Sequence, residues 1–289
     1  MRALVDGKPE LSFRLRAELV DQSNLRFAEA YTTRLRLGFG TGSWHGLSGF
    51  AELEDVRAFD SDLYNAGGFD GNPSRAVVAD VPDTELNQLF ARYESELTAS
   101  TYIVGRQRIV LDDHRFVGDV GWRQNEQTYD AASIESSLGI DPLTVLYVYL
   151  WEVNRVFGPD AGADFDSDSH LVRVAVSVPA VLGAEIEPVL FAYLLRFSNA
   201  PAASSDSFGG RVTATRDFGE HVEARLTASF AHQVDAGRNP VDYDAQYWFI
   251  EPRIVVGPID LAVGYEILGD GEGTAAFMTP LATFHRFNG

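Results

Sequence analysis

Residues 11–19 read LSFRLRAEL. Leu11, Phe13, Leu15, Ala17 and Leu19 take every second place, with Ser12, Arg14, Arg16 and Glu18 between them. Successive side chains of an extended strand point to opposite faces, so this spacing puts a greasy row on one face and an ionised row on the other. Residues 31–39 repeat it, setting Tyr31, Thr33, Leu35, Leu37 and Phe39 against Thr32, Arg34, Arg36 and Gly38. Residues 222–230 alternate Val222, Ala224, Leu226, Ala228 and Phe230 with Glu223, Arg225, Thr227 and Ser229. Residues 259–267 set Ile259, Leu261, Val263, Tyr265 and Ile267 against Asp260, Ala262, Gly264 and Glu266.

Working outward from these four, strands are expected near 47–54, 85–94, 101–108, 127–136, 143–153, 170–178, 186–197, 208–216 and 245–256, so the chain holds about thirteen. Helical periodicity is weak throughout. The connectors differ in length. Short ones carrying Gly or Pro fall at 40–46, 139–142, 179–183, 217–221 and 257–258; long, acidic and glycine-rich ones fall at 55–84, 157–169, 198–207, 234–244 and 269–280. Short turns on one rim and long loops on the other are the layout of an outer-membrane barrel. Aromatic residues near strand ends, among them Tyr31, Phe39, Trp44, Tyr93, Tyr147, Trp151, Phe197, Phe230, Tyr247 and Trp248, suit the girdles such a barrel carries at its two interfaces.

The fold expected is therefore all-β, an antiparallel transmembrane β-barrel forming one domain across residues 1–289 and placed in the Gram-negative outer membrane. The longest apolar run, 143–151 with Thr144 inside it, falls short of the roughly 20 residues of a membrane helix and matches the roughly 9–11 of a tilted membrane strand. A soluble or surface β-protein that binds carbohydrate remains the alternative, because sandwiches also alternate apolar with polar residues. The two part on one point: in a membrane barrel the greasy rows face outward to hydrocarbon, and in a soluble protein they pack on a second layer.

Composition narrows function. The formal charge of −19 argues against a phosphate backbone as ligand, although a globally acidic protein can still carry a local basic surface, so nucleic acid is not an expected partner. There is no cysteine, hence no disulfide and no thiolate site. Of the 23 basic residues only Lys8 is a lysine; the others are arginines, whose planar fork grips carboxylates and phosphates in pairs of bonds. The six histidines, His45, His114, His170, His221, His232 and His285, are scattered without metal-site spacing. Asp160, Asp164, Asp166 and Asp168 cluster, but the sequence lacks the glycine turn and distal glutamate of a calcium loop, so no metal is assigned. No nucleophile elbow, Walker loop or dinucleotide fingerprint is present, so neither an enzyme nor a cofactor is expected.

The segment 105–130, GRQRIVLDDHRFVGDVGWRQNEQTYD, resembles the alginate-export family of outer-membrane porins. NRVFGPD at 154–160, FDSDSHL at 165–171, NPVDYDAQYW at 239–248 and the closing GYEILGDGEGTAAFMTPLATFHRFNG add to that likeness. The resemblance implies a monomeric outer-membrane barrel, and its founding member passes the polyanion alginate through an arginine-lined lumen. It also implies further strands after Phe287-Asn288-Gly289, so the chain is read as partial, with the signal peptide and the C-terminal strands missing.

On this reading Arg14, Arg16, Arg34, Arg36, Arg92, Arg106, Arg108, Arg123, Arg173, Arg211, Arg225 and Arg253 line the pore. They would serve an anionic polysaccharide, a sugar acid or another small anionic solute, with outer-membrane lipid as the other partner. Interleaved acids such as Glu18, Glu52, Glu94, Glu223, Glu251 and Glu266 leave a second possibility open, a wall of mutually neutralised pairs. The densest constellation, Arg106, Arg108, Arg115 and Arg123 among Asp112, Asp113, Asp119 and Glu126, marks 109–125 as a segment expected either to fold against the lumen wall and narrow the pore or to form a surface hairpin.

Overall fold

A computed structural model describes residues 6–158, 162–181, 183–219, 221–271, 273 and 275–283. The N-terminal residues 1–5, Asp160, His285 and the closing residues 284–289 lie outside it. The strands are β1 (Lys8–Val20), β2 (Ala28–Gly40), β3 (Leu47–Ala58), β4 (Asp83–Ser95), β5 (Ser100–Gln107), β6 (Thr128–Ser136), β7 (Leu143–Asn154), β8 (Phe165–Val176), β9 (Val178–Val181) and β10 (Ala184–Leu195). They continue with β11 (Ser205–Asp217), β12 (Val222–Asp235), β13 (Asp244–Val256), β14 (Ile259–Ala262), β15 (Tyr265–Leu268), β16 (Asp270–Gly271) and β17 (Ala275–Ala276).

All except the small β16–β17 ladder form one antiparallel sheet in chain order. β9 extends the line of β8 along β10, and β14 and β15 both pair with β13, so each of these couples fills one place in the sheet. Thirteen places result, one for each expected strand. Among the described residues the edges, β1 on one side and β14–β15 on the other, are not paired with each other. No described helix is long and apolar enough to cross a membrane.

The alternation fixes the orientation. On β1, Leu11, Phe13 and Leu15 are 73%, 67% and 66% exposed, whereas Arg16 is 8% exposed; on β2, Arg34 and Arg36 are buried and Leu37 is exposed. Leu53, Leu89, Val104, Leu190, Phe208, Leu226, Trp248 and Ile250 are likewise exposed on the outer face. A water-soluble chain would hide such rows, so the carbohydrate-binding soluble reading fails at this point.

The inner face is not uniform. From β1 to β5 it carries Arg16, Arg34, Arg36, Glu52, Glu54, Gln88 and Gln107, all buried. From β6 to β13 it carries Tyr129, Val148, Leu150, Leu171, Phe191, Tyr193, Leu195 and Tyr247, which with Ile109, Leu111, Val117, Phe277 and Leu281 form one apolar cluster. Two aromatics assigned to the girdles, Phe197 and Tyr247, belong to this cluster instead. The inner rows of β6–β10 are greasy because they pack on protein inserted into the concavity.

Candidate pore wall and inserted segment

The inserted protein is chiefly the connector between β5 and β6, residues 108–127. It follows β5, which holds Gly105 at a φ of +121° and stays paired with β6 as far as Gln107; a Cβ on Gly105 would lie 2.3 Å from the Leu89 carbonyl oxygen, a contact only glycine avoids. The connector then crosses the concave face from one edge of the sheet to the other.

Near β1 and β2 it is held by arginines acting on its backbone. Arg14 donates to the carbonyls of Gly121, Trp122 and Arg123 at 3.2, 2.8 and 3.1 Å. Arg16 donates to the Trp122 carbonyl at 2.7 Å and pairs with Glu18 and Asp80. Arg34 donates to the Gln124 carbonyl at 3.4 Å. Glu126 takes Arg108 at 2.5 Å and Arg36 at 3.2 Å and accepts from Asn87 at 2.6 Å; Arg36 is also paired with Glu54.

At the far side the same segment is held by β8, β11 and β15. Arg173 reaches Asp112 at 2.8 Å, Arg211 reaches Asp113 at 2.5 Å, and Arg115 meets Glu266 at 2.6 Å. Phe116 is ringed by Phe191, Tyr193, Tyr247 and Phe277, with centroids 5.0–6.0 Å away. Residues 277–283 pack beside it: the Leu281 carbonyl accepts from Gly118 N–H and Gln127 Nε2, and Thr283 Oγ1 accepts from Val120 N–H. The expected segment 109–125 thus lies against the inner wall, not as a surface hairpin.

The twelve arginines expected at the lumen divide. Arg14, Arg16, Arg34, Arg36, Arg173 and Arg211 contact the inserted segment from the wall, while Arg108 and Arg123 belong to the segment and pair with Glu126 and Glu18. Arg92, Arg225 and Arg253 sit nearer the short-turn rim, paired with Glu94, Glu223 and Asp260. Arg106 departs from expectation. It shares the face of Tyr102 and Val104, opposite the buried Gln107, and is bound twice by Asp130 of β6. Among the described residues Arg14 and Arg34 are the members of the set with no carboxylate in ion-pair range, and they stand directly opposite each other across β1 and β2. Arg34 Nε, Arg36 Nη2, Glu54 Oε1, Asn87 Oδ1 and Gln124 Oε1 are buried without a hydrogen-bond partner in the same place.

The acidic connector before β8 holds no group of three metal-ligating residues among those described. Asp164 there accepts from Arg155 N–H at 2.7 Å, and burial pushes its carboxyl up from the ordinary range. Sequence reading missed Asp80, Asn87 and Gln124, which brace the segment, and Phe116, which anchors it. The signal for Phe116 was available: it is an apolar ring set between the charged residues Asp112, Asp113 and Arg115 on one side and Asp119 on the other.

An antiparallel sheet with a lipid-facing outer surface and a hydrophilic segment laid across its hollow defines the class, an outer-membrane β-barrel of the porin type, whose place is the bacterial outer membrane. Within that class the family model described as alginate export matches residues 10–144, so the likeness to the alginate-export family of outer-membrane porins holds. No curated protein matches the sequence. Solved structures share the fold. Acinetobacter baumannii OccAB3 has a TM-score of 0.70 at 12% identity, over 91% of this chain and 67% of that one. Pseudomonas aeruginosa OpdL gives 0.68 at 16%, over 91% and 65%. A BenF-like porin from Pseudomonas fluorescens Pf-5 gives 0.68 at 14%, over 91% and 67%. The chain thus spans about two thirds of the length of these proteins.

Proposed function

We propose that the chain, as a single β-barrel domain over residues 1–289, forms a monomeric, non-enzymatic pore for passive passage of anionic or sugar-like solutes. The observation that carries this reading is the cross-strand pair of Arg14 and Arg34, two inward guanidiniums with only neutral carbonyls as acceptors. Like charges placed directly opposite repel, and a passing carboxylate relieves that repulsion while offering a stronger acceptor than a carbonyl. The family description, alginate export, supports an anionic or sugar solute. The other arginines of the set, Arg16, Arg36, Arg92, Arg106, Arg108, Arg123, Arg173, Arg211, Arg225 and Arg253, are neutralised locally and serve to hold the wall and the segment in shape.

The test is the reversal potential of the protein in a planar bilayer under a salt gradient, with and without acidic oligosaccharide. Arg14→Ala combined with Arg34→Ala is expected to abolish an anion preference that Arg106→Ala leaves intact. An assembled barrel that never conducts, or a preference indifferent to Arg14 and Arg34, overturns the reading.

A further inference from the structure

A cleft of about 510 Å³ opens on the outer, lipid-facing side of the sheet at the long-loop rim, away from the inserted segment. Its floor is Trp151, which is 37% exposed at the irregularity where β7 pairs with β8. Asp166 and Asp168 of β8 form one wall; their neighbours Phe165 and Ser169 are buried on the inner face, so the two carboxylates point outward. Arg196 and Arg238 stand on the other side. Arg196 is committed to Asp206, to which it donates twice at 2.6 and 2.9 Å, whereas Arg238 is exposed.

The level of the cleft is set by what lies below it on the same face. Tyr147, Tyr149 and His170 make a joined aromatic patch, with Tyr147 Oη 2.8 Å from His170 Nδ1 and ring centroids 5.2–6.0 Å apart. Such half-polar rings settle at the boundary between headgroups and hydrocarbon. The cleft therefore faces the headgroup layer of the outer leaflet.

We infer that this cleft binds the phosphorylated sugar headgroup of a membrane glycolipid. The flat face of Trp151 suits the apolar face of a sugar ring, Asp166 and Asp168 accept from ring hydroxyls or amines, and Arg238 takes the phosphate. Phosphate alone would be a poor ligand, since with Arg196 committed to Asp206 the two carboxylates face a single guanidinium, Arg238; a sugar bearing both hydroxyls and a phosphate satisfies both walls. The site stands apart from the inserted segment: Trp151, Asp166 and Asp168 are on the outer face of β7 and β8, and Arg196 and Arg238 belong to the connectors at the long-loop rim.

The experiment is native mass spectrometry of the detergent-purified protein with diphosphorylated lipid A, phosphatidylglycerol and free glucosamine 1-phosphate as probes. Lipid A is expected to remain bound, and Trp151→Ala, which removes the stacking face, or Arg238→Ala, which removes a charge-assisted hydrogen bond, to weaken it about tenfold each. Trp151→Phe, which keeps a ring, is expected to retain most of the binding, with the unchanged gel shift on heating serving as the folding control. Retention of glucosamine 1-phosphate as strongly as lipid A would make the ligand a soluble sugar phosphate and overturn the membrane source. Equal binding of phosphatidylglycerol, or lipid A binding untouched by both alanine variants, would overturn the site. Conductance is expected to be unchanged throughout, so failure here and failure of the pore reading are told apart.

Discussion

Replacing Phe116 by alanine should free one limb of the inserted segment without unfolding the sheet. The ring meets four aromatic partners, Phe191, Tyr193, Tyr247 and Phe277. Burying a phenylalanine is worth roughly 1.5–3 kcal/mol, and well-oriented ring pairs add about 0.5–1.5 kcal/mol each. Phe116 is only partly buried, so about 3 kcal/mol is a fair total for its loss. That cost falls on the docking equilibrium of residues 109–120, since the strand ladders contain none of these contacts. A change of about 3 kcal/mol raises the open fraction by about two powers of ten. Arg115–Glu266, Arg211–Asp113 and Arg173–Asp112 remain to hold the limb loosely. Trypsin reads the opening at Arg115, which sits within that limb, while Arg123, held in the near limb by Glu18 and Arg14, is the internal control. Cleavage after Arg115 should accelerate by one to two orders of magnitude, and single-channel current should become noisier. If that bond is cut no faster while the substitution lowers the thermal stability of the whole barrel, the limb is not an independently opening unit and the reasoning fails.

Removing Glu126 should be more costly than removing any one arginine around it. Glu126→Ala leaves Arg36 with Glu54 alone and Arg108 with only Asp119 at 3.7 Å, and should cost about 1–3 kcal/mol, read as a fall in the unfolding temperature of the detergent-solubilised protein. On the outer face, Leu190→Arg should cost about 2–4 kcal/mol in folding into lipid if that row meets the membrane mid-plane; a neutral result would mean that this row is not lipid-facing. Gly209→Ala should hinder assembly, because its Cβ would lie 2.6 Å from the Phe230 carbonyl oxygen and 2.4 Å from the Phe191 ring; normal yields with unaltered heat-modifiability would refute this.

The sheet was legible because its information is local. An alternation such as LSFRLRAEL needs only its own residues to be read, and all thirteen expected strands appear within a few residues of their places. Arg106 was misjudged because Tyr102, Ile103 and Val104 are apolar on both faces, so the sequence carries no phase there; the row of Tyr102 and Val104 is the exposed one, and Arg106 continues it without a shift. The greasy inner rows of β6–β10 were equally hidden. A strand that is apolar on both faces, as 143–151 is, carries no phase, and only the partner laid against it reveals which face is inside.

The arginines show where pattern reading stops and geometry takes over. Around the near limb of the inserted segment Arg14, Arg16, Arg34, Arg36, Arg108 and Arg123 are matched in formal charge, one for one, by Glu18, Glu52, Glu54, Asp80, Asp119 and Glu126. A field that cancels in sum cannot attract anions from a distance, so any preference must arise from position. Position separates the set: most guanidiniums spend their donors on carboxylates, while Arg14 and Arg34 spend theirs on backbone carbonyls of residues 121–124. Those carbonyls are the weakest acceptors in the cluster, and they belong to the segment that narrows the hollow. An anion that displaces them therefore loosens the segment at the place where it binds, which couples selectivity to the width of the path.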